Sequence, residues 1–290
     1  FTDLYRDCAF ESCPQEPPHP WFAGGKPAIE RGQRERRESL IGYFAAVSAM
    51  DAAIGRVLDA LDAQGLAEST LVVFMSDNGM NCGHHGIWGK GNGTRPQNMY
   101  DTSVKVPCII AQPGRIPAGQ LSHAMLSGYD VFPTIVDYLG LAHAPGRRKP
   151  GHSFKPVLEG CGPGADDAVV VYDEYGPVRM VRTAEWKYVH RHPDGPHELF
   201  HLSDDPGERR NLIDDPAAAA TAGTLRARLD DWFRAYVNPA RDGVDKGVTG
   251  CGQLGRVEDA RAAHPVFADQ HLTGADWDLW MAQKDAKSTA

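Results

Sequence analysis

The sequence has no stretch approaching the ~20 consecutive apolar residues that a bilayer-spanning helix needs, so no membrane span is expected. It has no excess of positive charge either. Its 30 lysines and arginines stand against 38 aspartates and glutamates, a net charge of −8, which gives no broad electrostatic footprint for nucleic acid or an anionic lipid surface. Partners are expected to be small molecules or neutral polymers. Cysteine is sparse, with six residues and no C-x-x-C spacing, and 290 residues can build a core without disulfides. Cys8 and Cys13 could bridge a local loop or stay as unpaired buried thiols. There is no internal repeat, no initiating methionine and no signal-peptide pattern. The opening "FTDLYRDCAFESCPQEPPHPW" reads as an irregular loop from the middle of a longer chain.

What is present is an alternation of helix and strand signals. From Glu35 to Gln64 the apolar residues Tyr43, Val47, Met50, Ile54, Val57, Leu58 and Leu61 recur at three- and four-residue steps, which predicts an amphipathic helix with one buried face stopped by Gly65. "TLVVFMS" (70–76) and "VPCIIA" (106–111) read as strands buried on both faces of a parallel sheet. "YDVFPTIVDYLGL" reads as a helix with Asp130 as N-cap and Gly140 as stop. These elements imply a doubly wound α/β core. After Pro145, "AVVVYDE", "VRMVRT", "WKYVHRH" and "HELFHL" predict a small antiparallel sheet, with Trp186, Tyr188 and Trp232 in its core. A helix over Thr224–Tyr236 would cover one face of it.

Chemistry concentrates in "SDNGMNCGHHGIWGKGNG", residues 76–93, at the carboxyl end of the first strand, where α/β sheets collect ligands. Asp77 and Asn78 offer hard oxygens suited to Ca²⁺ or Mg²⁺, although the tripeptide taken alone reads first as a D-N-G turn. Lys90 lies between two glycines that let backbone approach a ligand, and its compact charge suits a sulfate or phosphate oxygen; a lone loop lysine is also an ordinary solvated charge. His84 and His85 could bind metal, shuttle a proton or hydrogen-bond an anionic oxygen, with at most one of the pair facing a site. Lys246 and Gln253, in the late glycine-rich loop, are candidate contacts to the organic part of a substrate.

Taken in order, "YFAAVSAMDAAIGRVLDALDAQGLAESTLVVFMSDNG", "GHHGIWGKG", "MYDTSVKVPCIIAQPG", "YDVFPTIVDYLG", "RTAEWKYVHR" and "ELFHLSDDPGERRNL" resemble the second half of a type I, formylglycine-dependent sulfatase, from about Leu40 to Leu212. The resemblance implies an alkaline-phosphatase-like α/β fold, with a mixed, mostly parallel sheet present only in part, and hydrolysis of sulfate esters of a small molecule or carbohydrate. It implies residues 1–145 as the C-terminal part of the core domain and 146–290 as a small subdomain with substrate loop and tail. Asp77 and Asn78 match the family's divalent-metal pair, usually for Ca²⁺, Lys90 its sulfate-contacting lysine, and His85 is the better match of the two histidines to a G-x-H-G histidine near the site. Tyr100-Asp101 replaces the usual tyrosine-glutamate and reads as structural.

The departures concern what the family places earlier. No cysteine or serine stands in a [CS]-x-P-x-R stretch, so the formylglycine nucleophile is missing, as are an aspartate pair, a lysine and a histidine. His19 in "PPHPW" is not read as that histidine, which is expected before Phe1. The chain alone is therefore expected to be inactive and incompletely folded at the sheet edge. The alternatives are a phosphodiesterase or phosphonate monoester hydrolase of the same superfamily, or a non-catalytic binding module.

Overall fold

The computed structural model describes residues 1–21, 33–142, 149–162 and 166–246. These fall into two compact units, one containing Phe1–Thr70 and Phe74–Ile109, the other Leu71–Val73 and the described part of Ile110–Val266. Gln253 lies outside the described residues.

Helix α1 (Gln33–Ala63) of the first unit is followed along the chain by strand β1 (Val72–Met75), the glycine-rich loop and strand β2 (Cys108–Ala111); β1 and β2, each with residues in both units, pair in a two-stranded sheet. The start of α1 is anchored by the N-terminal segment. Leu40 is buried with Phe10, Cys13 and Cys82, while Tyr5, Ile41 and Phe44 pack around them. Arg37 donates to the carbonyls of Cys8 and Arg6 at 2.9 and 2.7 Å. Cys8, Cys13 and Cys82 are free thiols.

The expected burial of α1 and the strands is corrected by the structure. Met50 and Val57 are 45% and 61% exposed, and Ile109 of β2 is 61% exposed. The apolar stripe exists, but among the described residues of the helix only Leu40 and Ala45 are buried, and two strands alone leave their faces open unless helices cover them. β2 also starts two residues later than the apolar run, at Cys108. Within Arg36–Ala63 an 18-residue window reaches a mean hydropathy of 1.3, so one helix among the described residues is long and apolar enough, by length and composition alone, to cross a membrane. The open apolar face of an amphipathic helix meets the same criterion.

In the second unit, α2 (Gly128–Tyr138) begins with a capping box. Ser127 is the N-cap, and Asp130, predicted there, sits at N3, where its Oδ2 accepts from Ser127 N–H at 2.7 Å. Its Oδ1 accepts from His152 N–H at 2.9 Å. A carboxylate at N3 can satisfy the N-cap donor and still hold the distant 152 loop, which explains its burial.

Strands β3 (Ala168–Tyr172), β4 (Val178–Thr183), β5 (Trp186–Arg191) and β6 (Glu198–His201) form the expected antiparallel meander in sequential order. The register aligns Val170 with Val181, Val181 with Tyr188 and Tyr188 with Leu199. That row meets Leu225, Leu229 and Phe233 of helix α3 (Ala219–Tyr236), with Trp186 and Trp232 packed at its margin. Each such apolar side chain contributes roughly 1.5–3 kcal/mol on burial. The opposite face is buried too, and it carries two ion pairs, Lys187–Glu208 at 2.5 Å and Arg191–Glu198 at 2.6 Å.

Three imidazoles pack together beside this core: His190 lies 4.4 Å from His192 and stacks on His197 at 4.2 Å. Burial, with neighbouring cations second, pushes His190 down to about 3 and His192 down to about 4. Their contribution to stability is complete above the unfolded value near 6.5 and is lost as pH falls through 6.5 toward 4, because unfolded histidines take up protons the folded ones refuse. Asp173 acts the other way. Burial pushes its carboxyl up to about 7 against three backbone N–H donors, so the folded form gains as pH falls from 7 to about 4. At about 1.4 kcal/mol per unit, the two histidines outweigh the aspartate by about 2 kcal/mol at pH ~4.5. Urea unfolding followed by tryptophan fluorescence is expected to show a lower midpoint at pH ~4.5 than at pH ~7.5, and a flatter or reversed dependence in H190F. Equal midpoints in the wild-type chain would contradict this.

Candidate functional site

β1 delivers its chain directly into the loop at Ser76. Ser76 Oγ donates to the Asn78 carbonyl at 2.9 Å, and Asn78 N–H donates to Asp77 Oδ1 at 2.9 Å. The Asn78 side chain is oriented from one end, with Nδ2 donating to the Gly79 carbonyl at 2.9 Å. Oδ1 therefore points the other way and accepts from Lys90 Nζ at 2.6 Å, while Asp77 Oδ2 lies 4.0 Å from the same ammonium. The fold thus brings Asp77, Asn78 and Lys90 together. A positive group already sits between one carboxylate and one carboxamide oxygen, and that donor set fits part of a hard-cation shell. Two oxygens fall short of the 6–8 that Ca²⁺ takes. Among the described residues no group of three or more His, Cys, Asp or Glu side chains is arranged to hold a metal.

Behind these exposed groups lies a buried carboxamide scaffold. Asn81 and Asn98 are 0% and 1% exposed. Asn81 Nδ2 donates to the Gly89 carbonyl and to Ser103 Oγ, Thr102 Oγ1 donates to Asn81 Oδ1, and Ser103 Oγ donates to Asn98 Oδ1. Asn98 Nδ2 in turn reaches the carbonyls of Lys90 and Gly91, both at 3.2 Å. Lys90 is thereby held through its backbone from two sides.

The histidines diverge. His84 Nδ1–H donates to the Asn81 carbonyl at 2.8 Å, which ties that ring to the loop. His85 takes a left-handed backbone (φ 54°, ψ 18°) and stacks on Tyr100. The N-terminal segment crosses the same turn: Glu16 N–H and His19 N–H reach the carbonyls of Gly83 and Gly86, both at 3.4 Å. A Cβ on Gly86 would stand 1.7 Å from the Pro17 carbonyl oxygen, at a φ of +66°. G86A is expected to detach this crossing at a cost of about 2–4 kcal/mol, read as new protease cleavage within residues 1–21; protection equal to wild type would contradict it. Cys82 is buried, and burial pushes its thiol up to about 11, so at neutral pH it is no thiolate nucleophile. Lys246 belongs to the second unit, with Nζ 3.8 Å from Asp245.

A Sulfatase family profile matches residues 12–141, and the profile of the N-sulphoglucosamine sulphohydrolase C-terminal region matches residues 83–235, more than half of the chain. The chain belongs to the sulfatase family. Its fold is a partial alkaline-phosphatase-like α/β fold with a small antiparallel sheet and a covering helix. This sulfatase chain is 30% identical over 244 residues to the choline-sulfatase of Rhizobium meliloti, an alignment covering 79% of the chain and 46% of that relative. It is similar to a structure solved in complex with its substrate D-glucosamine-2-N,6-O-disulfate (TM-score 0.64, 28% identity, 76% of this chain and 44% of that one). It is also similar to the phosphonate monoester hydrolase of Agrobacterium radiobacter (TM-score 0.59, 28% identity, 70% and 42%). The sulfatase chain spans about half the length of the relatives it matches.

Sequence reasoning singled out Asp77, Asn78, Lys90 and His85, all placed in one unit. It missed Asn81 and Asn98 as the scaffold and read Tyr100 as merely structural. The one available signal was the density of carboxamides in a loop too polar to be packing filler.

Proposed function

We propose that this chain is the C-terminal part of a sulfuric ester hydrolase acting on a sulfated small molecule or carbohydrate. Residues 1–145 belong to its α/β core and 146–290 to its small subdomain. The observation that carries the reading is the convergence of Asp77, Asn78 and Lys90 at the carboxyl end of β1 in a chain of this family. Asp77 and Asn78 would hold Ca²⁺, or Mg²⁺ as the alternative, together with ligands supplied from elsewhere in the enzyme. The bound cation supplies positive charge for sulfate oxygens. Lys90 binds and orients the sulfate group and counters the charge that gathers on its oxygens in the transition state. His85 hydrogen-bonds at the reacting group, while His84, its ring tied to the Asn81 carbonyl, holds the turn that presents it.

The nucleophile, a formylglycine, belongs to a part of the enzyme that this chain does not contain, since no [CS]-x-P-x-R stretch occurs in the 290 residues. An aryl-sulfate assay with Ca²⁺ is expected to show no turnover by the chain alone and turnover by a protein that carries it behind such a stretch. Robust metal-dependent turnover by the isolated chain would overturn the assignment. The similarity to phosphonate monoester hydrolases supports a second reading, and matched sulfate and phosphonate esters assayed in parallel separate the two.

A further inference from the structure

Tyr100 is buried in the first unit and touches two histidines from distant parts of the sequence. Its ring lies flat on His85, with centroids 3.7 Å apart and planes 5° apart. Its hydroxyl lies 3.2 Å from His19 Nε2. The other His19 nitrogen is committed, because Trp21 N–H donates to Nδ1 at 3.1 Å. In a neutral imidazole an accepting Nδ1 places the proton on Nε2, so His19 is the donor to the Tyr100 oxygen.

The tyrosine backbone is itself pinned, its carbonyl accepting from Ser103 N–H and Val104 N–H at 2.8 and 3.1 Å. The crossing that brings His19 to Tyr100 is the one that closes over Gly86, next to His85. A parallel stack also has a chemical consequence that an edge-on contact lacks. It covers one face of the His85 ring while both nitrogens, which lie in the ring plane, stay at the edge where hydrogen bonds form.

We infer that Tyr100 is a positioning residue of the sulfate site: its ring fixes the plane of His85, and its hydroxyl, accepting from Nε2–H, fixes the orientation of His19 in the tautomer that Trp21 N–H sets. The inference rests on the reading of His85 as a contact to sulfate oxygens. Through Tyr100 the two imidazoles are held as one unit, so neither can rotate without disturbing the other.

The test uses the full chain with ¹⁵N-labelled histidine, two-bond ¹H–¹⁵N correlation spectra, and inorganic sulfate as the probe. The wild type is expected to show His19 as the Nε2–H tautomer and His85 ring protons shifted upfield by the tyrosine ring current. Y100F keeps the stack and removes the acceptor, so His85 shifts stay, His19 keeps the Nε2–H tautomer that Trp21 N–H imposes, and its Nε2–H resonance moves upfield and exchanges faster with solvent. Y100L removes both, and its sulfate affinity is expected to fall about five- to tenfold, against less than about twofold for Y100F. An unchanged His19 pattern in Y100F, or unmoved His85 protons in Y100L, overturns the proposal. Should Y100L fail to fold, Y100F decides by its hydroxyl arm alone. A wild-type chain whose His85 does not respond to sulfate at all overturns the reading of the site, whereas a responding wild type matched by Y100L overturns the role of Tyr100 only.

Discussion

Replacing Lys90 with alanine in the full-length enzyme is expected to lower kcat for sulfate-ester hydrolysis by about 10²- to 10³-fold, the loss typical of removing one preorganised charge-stabilising donor. Stability should hardly move. The side chain is 48% exposed and its pairing with an 83% exposed aspartate is a surface contact, so the folded state loses little. Fold and catalysis therefore separate in this variant: the urea midpoint stays within about 0.5 kcal/mol of wild type while turnover collapses. K90R is the informative companion. It keeps the charge but replaces the point ammonium, now 2.6 Å from Asn78 Oδ1, with a bulkier planar fork, so recovery should be partial. Turnover by K90A within tenfold of wild type would remove Lys90 from the sulfate site.

Glu208→Ala should be the most destabilising single change in the second unit, by about 3–5 kcal/mol. Lys187 and Glu208 side chains are 0% and 2% exposed and meet at 2.5 Å, so deleting the carboxylate strands an ammonium beneath the sheet. The attraction between the two is not the source of that cost, because an ion pair that has lost its water about breaks even against an apolar pair of the same volume. The double replacement K187M/E208L is accordingly expected to recover most of the loss, and can equal or exceed wild type. A double-mutant cycle read by urea unfolding checks this. Additive losses, with the double variant worse than E208A, would mean that the two groups do not act as a buried pair.

How much of this was legible in the sequence depends on the range of the signal. The four-stranded meander was readable because its strands are short β-forming segments separated by local turn residues, and α3 because Leu225, Leu229 and Phe233 fall on one helical stripe. The existence of α1 was equally readable, but not which part of its stripe is covered, since that depends on neighbours rather than on period. Asp130 was assigned to the right turn of α2 and the wrong place in it, because N-cap and N3 aspartates look alike until the partner donor is known. In the site, Asp77, Asn78 and Lys90 share one loop, and their meeting followed from the strand end before them. The contact of His19 with Tyr100 spans 81 residues and that of Asn81 with Ser103 spans 22, and no local pattern encodes either.

The crossing of the first 21 residues over the histidine turn also sets an order of assembly. Gln15 reaches the Cys82 carbonyl across 67 positions, whereas β3 to β6 form their ladder within 34 consecutive residues, Ala168–His201. Closing a long loop costs chain entropy before its contacts return anything, so low-separation pairings form early and high-separation ones late. On a ribosome the His19 segment emerges before the turn it will cover and must wait for it. The glycine-rich loop is thus the last part of its unit to take shape, completed by the residues made before it.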